Sequence, residues 1–160
     1  MSDQNLHRWL YRGKRPNWIA RILNSAWRAV HSSGIAANWL VTLEVTGRKS
    51  GRMIGLPLVL TIVNDQRYLV SMLGNDAQWV LNVRAANGKA VLHSGPRKPI
   101  SLEDVPVEQR ASILKMYLKH APGARPHFPI NMDAPLVEFE KIAANYPVFH
   151  IVFDRPTGHK

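Results

Sequence analysis

Three cations and two glycines fall within the seven residues Thr46-Gly47-Arg48-Lys49-Ser50-Gly51-Arg52. Glycine takes positive φ without strain, so backbone N–H groups there can turn toward a phosphate while Arg48, Lys49 and Arg52 add charge-assisted donors. A solvated hairpin tip would show the same composition, so the segment alone does not separate an anion site from a turn. For proton transfer the candidates are Tyr117, His120 and His127, carried by a helix and a proline-rich loop in the C-terminal half. Each has a plainer alternative, Tyr117 as a core residue on an apolar helix face and the histidines as loop or cap residues. No G-x-S-x-G elbow surrounds Ser71, which argues against a serine nucleophile. His120 and His127 are separated by prolines and accompanied by no carboxylate pair, so no metal site is expected. A dinucleotide-binding fingerprint and a Walker loop are both absent.

Charge supports an anionic partner. The 160 residues carry a net charge of +10 and a pI near 10.4. Nine Lys/Arg (Arg8, Arg12, Lys14, Arg15, Arg21, Arg28, Arg48, Lys49 and Arg52) stand against only Asp3 and Glu44 in residues 1–60. Nucleic acid, an anionic membrane surface and a phosphorylated or carboxylated small molecule all fit that balance. Nucleic acid is the weakest of these, because aromatic and basic residues interleave only along one amphipathic helix and no stacking platform is evident. Cysteine is absent, which removes disulfides, thiolate metal sites and a cysteine nucleophile, and suits a reducing cytoplasm. The N-terminus lacks the pattern of a secretory signal, and no apolar run is long enough to span a bilayer.

The elements that must carry these residues read as one domain of 160 residues with 46% hydrophobic content. Residues 1–15 form a basic lead, and residues 17–31 a helix opened by Pro16. Trp18, Ile19, Ile22, Leu23, Ala26, Trp27, Ala29 and Val30 cover one half of that helix, and Arg21, Arg28, Asn24 and Ser25 the other. Such a helix packs on the domain or lies at an anionic lipid interface. Strands are expected over residues 39–45, 56–63, 67–73, 89–94, 98–105 and 148–153, and helices over 79–86, from Pro106, and over 135–145. Residues 121–135 hold four prolines and are expected to be an irregular loop or lid. About six antiparallel strands with flanking helices make an α+β protein, and a small split or closed β-barrel fits that count.

The run TGRKSGR (46–52), then Pro57, then YLVSMLGNDAQWVLNVRAANGKAVL (68–92), resembles the deazaflavin-dependent nitroreductase family of split β-barrel oxidoreductases, best known from actinobacteria. The likeness is strong over the middle third of the chain and loose elsewhere. It implies binding of coenzyme F420, whose tail carries a phosphodiester and a polyglutamate chain, with Arg48, Lys49, Ser50 and Arg52 at the phosphate region. Pro57, Ser71, Met72, Leu73, Gly74, Asn75 and Trp79 would line the ring side, and Asn82 and Arg84 would support the loop or reach the tail. Many relatives have a further arginine where this chain has Ile54, and a basic or polar residue where it has Leu73. FMN or FAD therefore stands as the alternative cofactor.

The implied activity is hydride transfer from reduced deazaflavin to an apolar activated acceptor such as an enone, quinone or nitro compound, with Tyr117 or His127 as proton donor. A second reading is a non-catalytic lipid- or flavin-binding protein built on the same barrel. Relatives often pair as homodimers. The implied location is the cytoplasm, with peripheral attachment to the inner membrane face through the N-terminal helix.

Overall fold

The computed structural model describes residues 39–154; the expected basic lead and N-terminal amphipathic helix lie outside them. Seven antiparallel strands form one sheet: β1 (Leu40–Thr46), β2 (Met53–Val59), β3 (Thr61–Val63), β4 (Gln66–Val70), β5 (Lys89–His93), β6 (Arg97–Asp104) and β7 (Val148–Phe153). Their order is β2-β1-β5-β6-β7-β4-β3. The two edge strands are thus consecutive in the chain, and the sheet curls into a split barrel that almost meets itself at Leu60. Six strands were expected. The seventh arises because the apolar run after the first hairpin starts earlier, at Met53, and breaks at Leu60, whose N–H makes the last bond in the β1–β2 register, to the Trp39 carbonyl at 2.6 Å, before β3 pairs with β4 instead. Both halves of this run are β-favouring, so only pairing with β1 on one side and β4 on the other reveals the break.

Alternation decides which side chains enter the barrel. Val41, Leu43 and Val45 of β1, Leu92 of β5, Ile100 and Leu102 of β6, Leu69 of β4 and Phe149 and Ile151 of β7 share its interior. Helix α1 (Gln78–Ala85) closes this core with Trp79, Val80 and Val83, Trp79 tilting onto Phe149 at a ring separation of 5.5 Å. Its C-terminus is a Schellman motif. Asn87 takes φ 54° and donates to the Arg84 carbonyl, and Gly88 donates to that of Val83.

A second apolar cluster lies on the other face of the sheet, where Val70 and Val148 meet α2 (Ala111–His120) and α3 (Leu136–Ile142). The long helix expected from Pro106 is shorter: Val107–Gln109 is a 3₁₀ turn, and the α-helix begins at Ala111. The proline-rich stretch contains a second 3₁₀ turn, Pro122–His127, and a third, Ala143–Asn145, extends α3. Strand β4 also ends sooner than expected, at Val70, so that Ser71, Met72 and Leu73 belong to the loop before α1.

Candidate functional site

Two features meet in the loop of residues 71–77. At its start is a shallow cleft of about 300 Å³ lined by Met72, Leu73, Gly74, His127, Asn145 and Tyr146. At its end is the first turn of α1, against which the basic hairpin is docked.

The hairpin is closed by its own backbone, Gly47 donating to the Arg52 carbonyl at 2.7 Å and Gly51 to that of Gly47 at 2.9 Å. Gly51 adopts φ 69°, where a side chain would be strained. Arg48 turns back onto α1: its backbone N–H and one guanidinium nitrogen donate to Asn82 Oδ1, at 3.1 and 2.9 Å, and the other nitrogen donates to Gln78 Oε1 at 2.9 Å. Asn82 is buried and Gln78 exposed, so Arg48 is a strut between hairpin and helix. Lys49 and Arg52 are exposed, and neither side chain has a hydrogen-bonding or ionic partner among the described residues. Ser50 Oγ accepts from the Arg52 N–H at 3.2 Å. The first turn of α1 has no side-chain cap on its leading residue, Ala77, and no acidic residue, so its N–H groups stay available to an anion.

The loop that joins the two features is internally braced. Ser71 is buried, with its hydroxyl donating to the Gly74 carbonyl at 2.8 Å and its N–H to Pro147 at 3.0 Å. Gly74 has φ 86°, and Asn75 Nδ2 donates to the Ala144 carbonyl at 3.2 Å, tying the loop to the turn after α3. Leu73 projects outward with 57% of its surface exposed, an apolar lip on the cleft. Of the other expected contacts, Trp79 faces the barrel core, Pro57 pairs with Thr42 in the middle of β2, and Arg84 bridges to Asp104 at 3.1 Å.

The two proton-donor candidates are separated by burial. His127 is exposed and lines the cleft, with its carbonyl accepting from the Tyr146 hydroxyl at 2.7 Å. Tyr117 does not line the cleft. It is 5% exposed within the outer apolar cluster, 6.2 Å from the Phe128 ring, and burial pushes its hydroxyl well above the ordinary tyrosine pKa of 10.0. His120 stacks on Trp39 at 4.4 Å instead of facing the cleft. Tyr146 and Asn145 were not foreseen. Tyr146 stacks on Phe128 at 4.0 Å, and partial burial raises its pKa. The only local signal for this segment was a helix end just before Pro147 and a strand.

Glu44, His93 and Arg97 form a further cluster elsewhere. Glu44 is 2% exposed on the sheet face opposite the interior and accepts from Arg97 and, at 2.8 Å, contacts His93 Nε2. It joins neither hairpin nor cleft. Among the described residues no group of His, Asp and Glu is arranged to hold a metal ion, and no helix is long and apolar enough to cross a membrane.

The sequence profile of the F420H(2)-dependent quinone reductase family matches residues 18–127. No curated protein matches the chain. Among solved structures, the conserved hypothetical protein Rv2991 from Mycobacterium tuberculosis is 14% identical, with a TM-score of 0.51 over 78% of this chain and 81% of its own. A domain-swapped dimer is 18% identical, with a TM-score of 0.50 over 85% and 98%. An F420-H2 dependent reductase, FDR-A, is 20% identical, with a TM-score of 0.49 over 71% and 94%.

Proposed function

The chain belongs to the F420H(2)-dependent quinone reductase family, and on that premise we propose that it reduces an apolar, quinone-like acceptor held in the cleft of Met72, Leu73, His127 and Tyr146. It is an F420-dependent reductase, and its cofactor is F420 rather than FMN or FAD. The reading of a non-catalytic lipid- or flavin-binding protein gives way to that membership.

The donor set suits this cofactor. A tail with several negative charges calls for cations on flexible stems, and Lys49 and Arg52 are exposed beside the uncapped start of α1. This juxtaposition is the observation that carries the reading: Arg48 holds the hairpin on α1, and the loop of residues 71–77 leads from there to the cleft. Lys49, Ser50 and Arg52 hold the tail in this account, and Arg48 with Asn82 aims them. Met72, Gly74 and Asn75 border the ring side. Ser71, Trp79 and Arg84 act from behind by supporting the loop and helix, and Pro57 by stiffening β2.

Reduced F420 supplies a hydride when bound. The protein's own part is to exclude water with Leu73, Met72 and Tyr146 and to deliver a proton from the His127 imidazole to the acceptor. Tyr117 keeps to the apolar cluster. A quinone matches the wall best, since the exposed Leu73 offers aliphatic surface and no charge. Oxidised and reduced F420 titrated into the protein should change cofactor fluorescence saturably, and menadione should be turned over above a cofactor-only blank. Absence of binding at micromolar F420 would sink the reading.

The cytoplasmic location and the membrane contact through residues 17–31 remain part of this proposal, supported by the cationic excess of residues 1–60 and the lack of cysteine. Co-flotation with phosphatidylglycerol vesicles but not phosphatidylcholine vesicles is the expected result, and equal recovery with both would remove the membrane element.

A further inference from the structure

Arg110 stands where helix chemistry by itself would not put it. It immediately precedes α2, a position that favours Ser, Thr, Asp or Asn, and it makes no side-chain cap there. Its charge also has the wrong sign for the positive end of the α2 dipole. Yet it is 7% exposed, one of few buried charges among the described residues.

Its partners explain the placement. The Nε donates to the Val105 carbonyl at 2.8 Å, and one terminal nitrogen donates to the carbonyls of Ala143 at 3.1 Å and Tyr146 at 3.4 Å. These last two belong to the turn that ends α3, where a helix leaves carbonyls unpaired and its dipole favours a cation. Asn75, from the loop before α1, holds the carbonyl between them, that of Ala144. Gly74 closes on Asn145 so tightly that a β-carbon at Gly74 would lie 3.3 Å from the Asn145 carbonyl oxygen. Residues 143–146 are thus held by Arg110 and by the loop of residues 71–77 together, and Asn145 and Tyr146 line the cleft. The Tyr146 hydroxyl then carries the hold to the backbone at His127.

We propose that Arg110 is a positioning residue for the acceptor side of the cleft, acting through the 143–146 segment and Tyr146 on His127. The proposal rests on the reading of this cleft as the acceptor site. Burial, the largest influence, works against the charged guanidinium and lowers its pKa, with Asp104 and Glu108 favouring the charge and Arg84 opposing it. Among the described residues no other side chain donates to the carbonyls of Val105, Ala143 and Tyr146. Lysine would not replace Arg110, because a single ammonium cannot reproduce a planar fork that spans Val105, Ala143 and Tyr146.

The test uses the full chain with Arg110→Met and Arg110→Lys, alongside Tyr146→Phe. Amide hydrogen exchange of residues 143–147 should accelerate by about tenfold or more in the Arg110 variants, with barrel amides unchanged. The F420 dissociation constant should stay within about twofold, while kcat/KM for menadione falls about tenfold to a hundredfold, as a small misplacement of a reacting group can cost. Adding guanidinium at low millimolar concentration to Arg110→Ala should restore part of that loss. A double variant of Arg110→Met with Tyr146→Phe should lose less than the two separate losses combined. Wild-type exchange at 143–147 in a folded Arg110→Met protein would overturn the proposal. So would losses of exchange protection throughout the barrel, of cofactor binding and of turnover that grow together with a uniform fall in melting temperature. Should Arg110→Met not fold, Arg110→Lys gives the same comparison. If the wild-type protein turns over no menadione, the acceptor reading fails, and the exchange measurement still decides whether Arg110 organises the segment.

Discussion

Lys49, Arg52 and Arg48 have the same charge and nearly the same sequence position, and they divide the work by partner. Arg48 is held by Asn82 and Gln78, whereas Lys49 and Arg52 point outward. Replacing Lys49 and Arg52 together by alanine should leave the melting temperature almost unchanged, because exposed cations contribute little to folding. The F420 dissociation constant measured by fluorescence should rise about tenfold to a hundredfold, as expected for two lost charge-assisted contacts. Tyr117 makes a separate prediction in pH. Its folded-state pKa is raised above the unfolded value of 10.0, so the unfolded chain loses its proton first. Stability is therefore intact below pH 10 and falls as pH rises beyond it, by about 1.4 kcal/mol per pH unit for one such group. Urea midpoints measured between pH 9 and about pH 11 should show this decline, and Tyr117→Phe should remove its share while leaving turnover at neutral pH close to wild type.

At the level of elements, the hairpin and α1 behave as one unit because Asn82 accepts from both the backbone and the side chain of Arg48. Asn82→Ala should cost about 1–3 kcal/mol, since it strips a part-buried N–H and a guanidinium of their acceptor. It should weaken F420 binding as well, even though Asn82 need not touch the cofactor. Both effects follow from chemical denaturation and the fluorescence titration, and a stability loss with unchanged affinity would separate the hairpin from the tail. Gly88 illustrates a constraint between elements. It has φ 80°, and a β-carbon there would lie under 3 Å from the Leu102 carbonyl oxygen of β6. Gly88→Ala should destabilise the fold by about 3 kcal/mol, because the strain and the clash are both with backbone and no side chain can move aside.

For the whole molecule, the sheet order places β2 and β3 at opposite edges although one bend joins them. Among the described residues no strand pairs with their outward edges, and an unpaired edge strand is a template for another chain. The homodimer expected for this chain is tested at this scale. Sedimentation velocity at micromolar concentration should give roughly twice the 18.1 kDa chain mass, and a single monomer boundary would dismiss it.

Much of the frame was legible along the chain because its causes are local. The strands over residues 39–45 and 148–153 and the end of the helix expected over 79–86, closed by Asn87 and Gly88, each follow from neighbouring residue types. The family motifs around residues 46–52 and 68–92 likewise pointed to a deazaflavin reductase. What local pattern could not express was partnership at a distance: which hairpin cation is spent as a strut, where β2 bends into β3, why Tyr117 is buried while His127 lines the cleft, and why a buried arginine precedes α2. Those outcomes depend on hydrogen bonds and packing between different elements, in two cases between residues more than thirty positions apart, Arg48 to Asn82 and Arg110 to Ala143. A contact of that span leaves no periodicity in the chain, so only the folded arrangement decides it.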